Sequence, residues 1–468
     1  MPLVESFSGI RGIYDDGMDE QVTVRYGYAY LSFLKKKYGN NLKVVIGTDT
    51  RPSRDILKNA LIEAFDCEII DLGIVSTPMT EFAVRRYKAN GGIVVTASHN
   101  EPYWNGFKFL DKDGAVLKAN EMGAIIRNYH KLKKLSNENF FNNYLYKNTN
   151  PKKIKIKKIQ KKYEEINKEY SEYVLGFLSN KEKEKIRNSK FKVIIDPNGG
   201  SGIIAKQILE KLNVKVMGIN MEHGVFNRAV EPNEDSLLYL SNMVRDSNYD
   251  FAAGFDCDAD RVEIMAATGL ISGNQLLALI ADDILKKSKN KVIVVNDATS
   301  FMVRDIAKKH NAKYVETEVG EINVVNEMHR LKAPVGGEGS SSGVIIPDSR
   351  CRDGILTLLF LIKIIANKGK KIEELIRELP QYYNLKTKAT IDSKRYDSIL
   401  KKIYNYYKRK NYKIKKSKEG SLKVMLDHNS FIWFRASRTE ANLLRVIADA
   451  QKKEQAELIV KEALKLIK

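Results

Sequence analysis

Lys43-Val44-Val45-Ile46-Gly47-Thr48-Asp49-Thr50-Arg51-Pro52 sets a short apolar run directly against a polar turn. A run of that length, closed by turn residues, reads as a buried strand. An amphipathic helix follows through about residue 64, with Ile56, Leu57, Ala60, Leu61 and Ala64 sharing one face. Residues 67–72 read as the next strand. Ser76-Thr77-Pro78 opens a second helix, with Pro at a tolerated first-turn position. Gly91-Gly92 is expected to break that helix before a strand at 93–96. Repeated strand–helix–strand units predict a mostly parallel sheet covered on both faces.

Working outward, the Asn- and Lys-rich stretch 136–153 reads as a boundary, followed by a charged helix over 158–178. The pattern restarts at Phe191-Lys192-Val193-Ile194-Ile195-Asp196, turns at Asn198-Gly199-Gly200, and enters another helix. It restarts again at Lys291-Val292-Ile293-Val294-Val295. Three such openings are compatible with three related α/β domains. From residue 387 the order changes to strand pieces, a basic helix, strands at 431–434 and 443–447, and a terminal helix. That order predicts a smaller α+β domain.

With 468 residues the chain is expected to form two to four domains. Hydrophobic residues at 43% and charged residues at 29% fit a globular protein rather than a disordered one. The beginning, Met1-Pro2-Leu3-Val4-Glu5, shows no basic leader with a long apolar core. The most apolar stretch, 356–366, is too short to span a bilayer and contains Lys363. A cytoplasmic enzyme is the resulting expectation. Cys67, Cys257 and Cys351 form no CxxC pair, which argues against a disulfide framework and a zinc ribbon. The net charge of +21 gathers partly in the Lys-rich runs 152–162 and 401–418. Such a field attracts any anion, and no nucleic-acid-binding signature accompanies it. No nucleic-acid or membrane partner is expected; monomer or homo-oligomer is left undecided.

Four constellations carry possible chemistry. Thr96-Ala97-Ser98-His99-Asn100 sits at the carboxyl end of a strand, where open parallel sheets bind ligands. Ser98 there is either a reactive hydroxyl, with His99 exchanging a proton nearby, or a cap on the next element. Asn105-Gly106-Phe107-Lys108 adds a turn and a cation. In Asp256-Cys257-Asp258-Ala259-Asp260-Arg261, extended backbone would point the three carboxylates one way. Their mutual repulsion calls for a cation, and carboxylates with a phosphoryl oxygen suit Mg²⁺. Arg261 would then bridge the phosphoryl group. An EF-hand is excluded, because its Gly and Glu positions hold Arg261 and Ala267. Gly336-Gly337-Glu338-Gly339-Ser340-Ser341-Ser342-Gly343 is either a sugar-hydroxyl loop or an ordinary flexible one. Arg435-Ala436-Ser437-Arg438-Thr439 is either a phosphate cradle or a solvated turn.

Taken together and in this order, these strings resemble the α-D-phosphohexomutase family of phosphoglucomutases, phosphomannomutases and phosphoglucosamine mutases. The resemblance also takes in Ser8-Gly9-Ile10-Arg11-Gly12 and Gly47-Thr48-Asp49-Thr50-Arg51, and it covers nearly the whole chain. It implies three related α/β domains with mixed, mostly parallel sheets and a smaller C-terminal α+β domain around a central cleft. The domains would be 1–150 with the phosphoserine, 151–268 with the metal, 269–375 with the sugar loop and 376–468 with the phosphate loop. The implied activity interconverts hexose 1-phosphate and hexose 6-phosphate through a phosphoserine and a glucose or mannose 1,6-bisphosphate. Ser98, Asp256, Asp258 and Asp260 would hold Mg²⁺, with Arg11 and Arg261 by the phosphoryl group. Lys108, or His99 in competition, would be the acid/base, its pKa lowered by burial beside cations. Glu338 and Ser340 would read the sugar, while Arg435, Ser437, Arg438 and Thr439 anchor the second phosphate.

Several residues depart from the family pattern. Cys257 stands where Gly is usual in the metal loop, Glu101 separates Asn100 from Pro102, and Arg438 is an extra cation. Ser341 and Ser342 replace a common Gly-His, which bears on sugar choice. Phosphoglucosamine mutase is the alternative substrate reading. A Mg²⁺-dependent phosphatase is a remoter one, disfavoured because hydrolysis needs no second phosphate anchor.

Overall fold

The computed structural model describes residues 3–140, 158–417, 420–437 and 442–467. The chain divides into two compact units, one of residues 1–270 with 345–369, the other of 271–344 with 370–468.

The first unit holds two sheets. In the first, strand order runs Val4–Ser6, Gly9–Tyr14, Trp104–Asp111, Gly91–Val95, Lys43–Thr48, Glu68–Ile74 and Ile159–Lys161, and Gly17–Met18 joins Gly9–Tyr14. Its centre is parallel, Lys43–Thr48 lying between Gly91–Val95 and Glu68–Ile74. Trp104–Asp111 turns back antiparallel against Gly91–Val95. The strand Gly91–Val95 is wholly buried, as a sheet covered on both faces requires. Tyr30 reaches from the helix Glu20–Tyr38 to donate its hydroxyl to the Leu110 carbonyl at 2.6 Å.

Three local expectations differ from the structure. Gly91 and Gly92 do not break the helix, which ends at Arg86; they lie inside the strand. A Cβ on Gly91 would meet the Tyr30 hydroxyl at 2.2 Å, and one on Gly92 the Val84 Cγ2 at 2.7 Å. Close packing, not helix termination, explains the pair. Residues 159–161 form a strand parallel to Glu68–Ile74, so the charged helix starts only at Tyr163. Ile56 is exposed, while Lys58 turns inward instead to Asp71 at 3.3 Å.

The second sheet orders Lys215–Gly218, Lys192–Asp196, Phe251–Phe255, Val262–Ala266 and Gly269–Ile271. Its first three strands are parallel and Val262–Ala266 is antiparallel to Phe251–Phe255. The apolar stretch of the sequence becomes the helix Gly354–Lys368, buried on nearly every side within this unit. Among the described residues, no helix is long and apolar enough to cross a membrane.

The second unit carries the third sheet, Lys313–Thr317, Val292–Asn296, Val335–Glu338 and Gly343–Ile345, parallel across its first three strands. It also carries the C-terminal sheet, in the order Tyr383–Thr390, Leu443–Ala450, Phe431–Ala436, Leu422–Met425 and Lys413–Lys416. Every pairing there is antiparallel. The helices Tyr396–Arg409 and Lys453–Ile467 pack on it through Ile399, Ile403, Ala456 and Ala463. The expected α+β order holds.

Close sheet packing gives a paired test. A Cβ on Gly106 would lie 1.9 Å from the Ile10 carbonyl oxygen, so Gly106→Ala should lower stability by about 3 kcal/mol. Gly123 is in the helix Ala119–Lys133, where a new Cβ meets only the end of the Arg127 side chain. Gly123→Ala should therefore be neutral or gain ~0.5–1 kcal/mol. Urea denaturation midpoints of the two variants check both signs.

Candidate active site

The Ser98 loop begins where the buried strand Gly91–Val95 ends. Thr96 donates its hydroxyl to Asp49 Oδ2 at 2.6 Å and accepts the Ser98 backbone N–H at 2.8 Å. Ser98 takes φ +53°, a left-handed conformation that an L-residue adopts only when its surroundings impose it. Its side chain is buried, and Oγ lies 3.4 Å from Asp256 Oδ2. Arg11 donates to Asn100 Oδ1 at 2.8 Å in the same loop. Desolvation, together with the charge of Arg261, pulls the Arg11 guanidinium down to about 10, which still leaves it cationic at neutral pH.

Asp256, Asp258 and Asp260 are completely buried, and their carboxylate oxygens lie within 4.8 Å of one another. They converge through a turn, with Ala259 at φ +52°, rather than through the extended backbone expected from the sequence. Cys257 points elsewhere, its Sγ 3.7 Å from the Thr50 hydroxyl. Burial, then repulsion from Asp260 and Asp258, pushes the Asp256 carboxyl well above its usual range. Burial pushes Asp260 the same way, but Arg352, Lys108 and Arg261 outweigh it and hold that carboxyl well below.

Lys108 donates to Asp258 Oδ2 at 2.6 Å and to Asp260 Oδ2 at 2.9 Å. Its direct partners are therefore carboxylates, not the cations that the sequence reading placed beside it. His99 Nδ1 lies 3.0 Å from Arg261 Nη2, so the two candidate acid/base groups occupy different settings. Asp258 Oδ1 and Asp260 Oδ1 are buried without a hydrogen-bond partner. Two such oxygens beside Asp256 fit a hard divalent cation, which takes oxygen ligands and answers the unmet charge.

Two participants escaped the sequence reading. Arg352 donates to Asp260 Oδ2 at 2.8 Å, and Thr77 donates its hydroxyl to Asp258 Oδ2 at 2.6 Å. Thr77 was visible only as the first turn of a helix. Arg352 precedes Asp353, which caps the helix Gly354–Lys368 by accepting the Leu356 N–H at 2.9 Å. That cap is a readable start signal, but it says nothing of where Arg352 reaches. Gly354 allows the approach, since a Cβ there would sit 2.9 Å from the Ala259 carbonyl oxygen.

In the second unit, buried Glu338 accepts the Gly320 N–H at 2.8 Å and Asn296 Nδ2 at 3.1 Å. Asn296 Nδ2 also lies 3.2 Å from the Ser340 hydroxyl, which joins Glu338 and Ser340 in one network. Arg435 is buried in the C-terminal sheet with Nη1 3.5 Å from the Val319 carbonyl oxygen. Ser437 donates its backbone N–H to Leu443 O at 2.7 Å. Arg438 and Thr439 lie outside the described residues.

Models of phosphoglucomutase/phosphomannomutase α/β/α domains I, II and III match residues 5–136, 168–269 and 272–383. A phosphoglucomutase/phosphomannomutase of Thermococcus kodakarensis is 34% identical over 98% of this chain and 97% of its own. The chain belongs to the α-D-phosphohexomutase family. It is a phosphomutase, an isomerase, as its relatives are. Among other phosphohexomutases, a phosphoglucosamine mutase of Methanococcus maripaludis is 26% identical over 98% of both chains. A phosphoglucomutase/phosphomannomutase family protein from Burkholderia thailandensis shares the fold, with TM-score 0.79 at 20% identity over 99% of this chain and 97% of that one. So does the N-acetylphosphoglucosamine mutase of Aspergillus fumigatus, solved with GlcNAc-6P and magnesium, with TM-score 0.62 at 15% identity over 99% and 95%.

The raised Asp256 carboxyl fixes the sign of a pH effect. A carboxyl held above its usual range gives up its proton at higher pH than an ordinary aspartate, and cation binding favours the ionised form. Mg²⁺ affinity of this phosphohexomutase should therefore rise with pH. Calorimetry in buffers of different ionisation heat should detect the released proton. In Asp256→Asn both the release and most of the affinity should vanish, whereas buffer-independent heats in the unsubstituted protein would refute the assignment.

Proposed function

We propose that the chain interconverts hexose 1-phosphates and hexose 6-phosphates as a phosphoglucomutase/phosphomannomutase, through phosphorylated Ser98 and a hexose 1,6-bisphosphate. One observation carries this reading: a buried serine in an imposed left-handed conformation, with Oγ 3.4 Å from one of three convergent carboxylates. Asp256, Asp258 and Asp260, with Ser98 Oγ, would hold Mg²⁺. Bound there, the ion would supply positive charge against the charge that develops on a transferring phosphoryl group.

The remaining work falls to the chain. A hydroxyl of the sugar attacks the Ser98 phosphorus; the new O–P bond forms as the Oγ–P bond breaks, and Ser98 Oγ keeps the electron pair. Arg11 and Arg261 offset charge on the phosphoryl oxygens. Lys108 handles the proton of the attacking hydroxyl, with His99 the competing group. For the return, the bisphosphate presents its other phosphoryl group; Ser98 Oγ attacks it, the Oγ–P bond forms as that sugar O–P bond breaks, and the proton held by the acid/base group goes to the freed sugar oxygen. Glu338 and Ser340 hold sugar hydroxyls, and Arg435, Ser437, Arg438 and Thr439 anchor the phosphate that is not moving. The domain division 1–150, 151–268, 269–375 and 376–468 assigns one of these tasks to each segment. Small phosphorylated sugars as substrates place the chain in the cytoplasm, with no macromolecular partner required.

Full-length similarity to a phosphoglucosamine mutase supports a second substrate, glucosamine phosphate. Higher identity to a phosphoglucomutase/phosphomannomutase favours the unsubstituted hexoses. Conversion of glucose 1-phosphate, mannose 1-phosphate and glucosamine 1-phosphate to the 6-phosphates, with Mg²⁺ and a trace of bisphosphate, separates the two. Turnover of the first two is the expected outcome, and a strong preference for the third would move the enzyme to aminosugars. Ser98→Ala should keep the fold and reduce turnover by roughly 10³-fold or more. Near-normal turnover would remove Ser98 as the carrier.

A further inference from the structure

Arg51 belongs to a polar turn in a protein that handles phosphate, and yet its side chain is completely buried. A guanidinium has five N–H donors, and here all five directions are taken within the protein. Nε donates to Asp49 Oδ2 at 3.0 Å. Nη1 donates to the Trp104 carbonyl at 2.9 Å and also to that of Glu101. Nη2 donates to the Ser98 carbonyl at 2.7 Å and also to that of Asn100. The four carbonyls belong to the loop that runs from Ser98 to the start of the strand Trp104–Asp111. No donor is left for a substrate phosphate, which separates Arg51 from Arg11 and Arg261.

Asp49 completes the arrangement from the other side. Its Oδ1 accepts the Arg51 backbone N–H at 3.0 Å, and its Oδ2 accepts the Thr96 hydroxyl, which in turn accepts the Ser98 N–H. The N–H of Ser98 and its carbonyl are therefore both referred back to the Asp49–Arg51 pair. Fixing the groups on either side of one Cα fixes the backbone angles there, and the angle at Ser98 is one an L-residue avoids when unconstrained. Asp49 itself follows the central strand Lys43–Thr48, so the reference frame is the middle of the sheet.

We infer that Arg51, acting with Asp49, is a positioning residue for phosphoryl transfer: it clamps the loop 98–104 so that Ser98 Oγ is held toward Asp256. The inference rests on the reading of Ser98 as the phosphoryl carrier. Misplacing a reacting atom by about 1 Å lowers a rate by about 10²-fold, and that is the scale of effect the clamp controls. Of the groups proposed to hold the cation, only Ser98 Oγ lies in the clamped loop, and the three buried aspartates are outside it.

Arg51→Lys in the full chain tests this, because lysine keeps the charge but cannot present a planar fork to four carbonyls. With Mg²⁺, glucose 1-phosphate and glucose 1,6-bisphosphate, kcat should fall about 10²-fold while KM stays within twofold. Mn²⁺ affinity, carried mainly by the three aspartates, should fall far less than kcat, and amide hydrogen exchange should quicken in peptides covering 96–104 but not across the rest of the first sheet. Guanidinium added to Arg51→Ala should restore part of kcat. A kcat within threefold of normal in Arg51→Lys would overturn the inference. So would a loss matched by equal losses of Mn²⁺ binding and of exchange protection throughout the unit. Ser98→Ala separates the two readings: full activity there removes the carrier itself, whereas an inactive Ser98→Ala beside a normal Arg51→Lys removes only the clamp.

Discussion

Three carboxylates buried within 4.8 Å of one another are the constraint around which the first unit is arranged. Taking even one ion out of water carries a penalty of several kcal/mol, and like charges add to it. The chain answers with cations from separate segments. Lys108 comes from the strand Trp104–Asp111, Arg352 from the approach to the helix Gly354–Lys368, and Arg261 from the end of the aspartate loop itself. The three aspartates do not share this relief equally. Asp260 receives the cations and is held well below its usual range, while Asp256 bears the repulsion and is pushed well above it. A site prepared in this way sets its three carboxylates at unequal proton affinities.

The same economy of contacts sets apart arginines that look alike in sequence. Arg11 is bonded to Asn100 at the rim of the Ser98 loop, whereas Arg51 is spent on main-chain carbonyls and Arg228 on Asp196 at 2.6 Å and the Phe255 carbonyl. Phe255 immediately precedes Asp256, so the aspartate loop, like the serine loop, is held from behind by a guanidinium. What tells such arginines apart is the set of partners each already holds, not their charge.

Most of the fold was legible because its signals are local. The apolar runs at 43–47, 192–196 and 292–295 became central parallel strands, and the change of rhythm after residue 387 marked the antiparallel C-terminal sheet. Asp256, Asp258 and Asp260 could be read from spacing alone, although a turn rather than an extended chain brings them together. What the sequence hid was determined at long range. Arg352 and Thr77 lie 92 and 181 residues from the aspartates they bond, and no periodicity records such pairings. The structure sets Lys108 against Asp258 and Asp260, a neighbourhood the sequence could not show because it depends on separate segments meeting. Gly91 and Gly92 misled for a related reason: the Tyr30 hydroxyl and Val84 that demand small residues there come from the helices Glu20–Tyr38 and Thr77–Arg86, both earlier in the sequence.

The helix Gly354–Lys368 belongs by its contacts to a unit whose other residues end at 270, and this gives the unit a history. A ribosome that has released residues 1–270 has delivered all three aspartates, Lys108 and Arg261, but not Arg352 or the apolar helix behind it. Until the chain as far as Lys368 emerges, the second sheet lacks this helix and Asp260 lacks one of its cations. The first unit can therefore be completed only after the residues of the third sheet have been made.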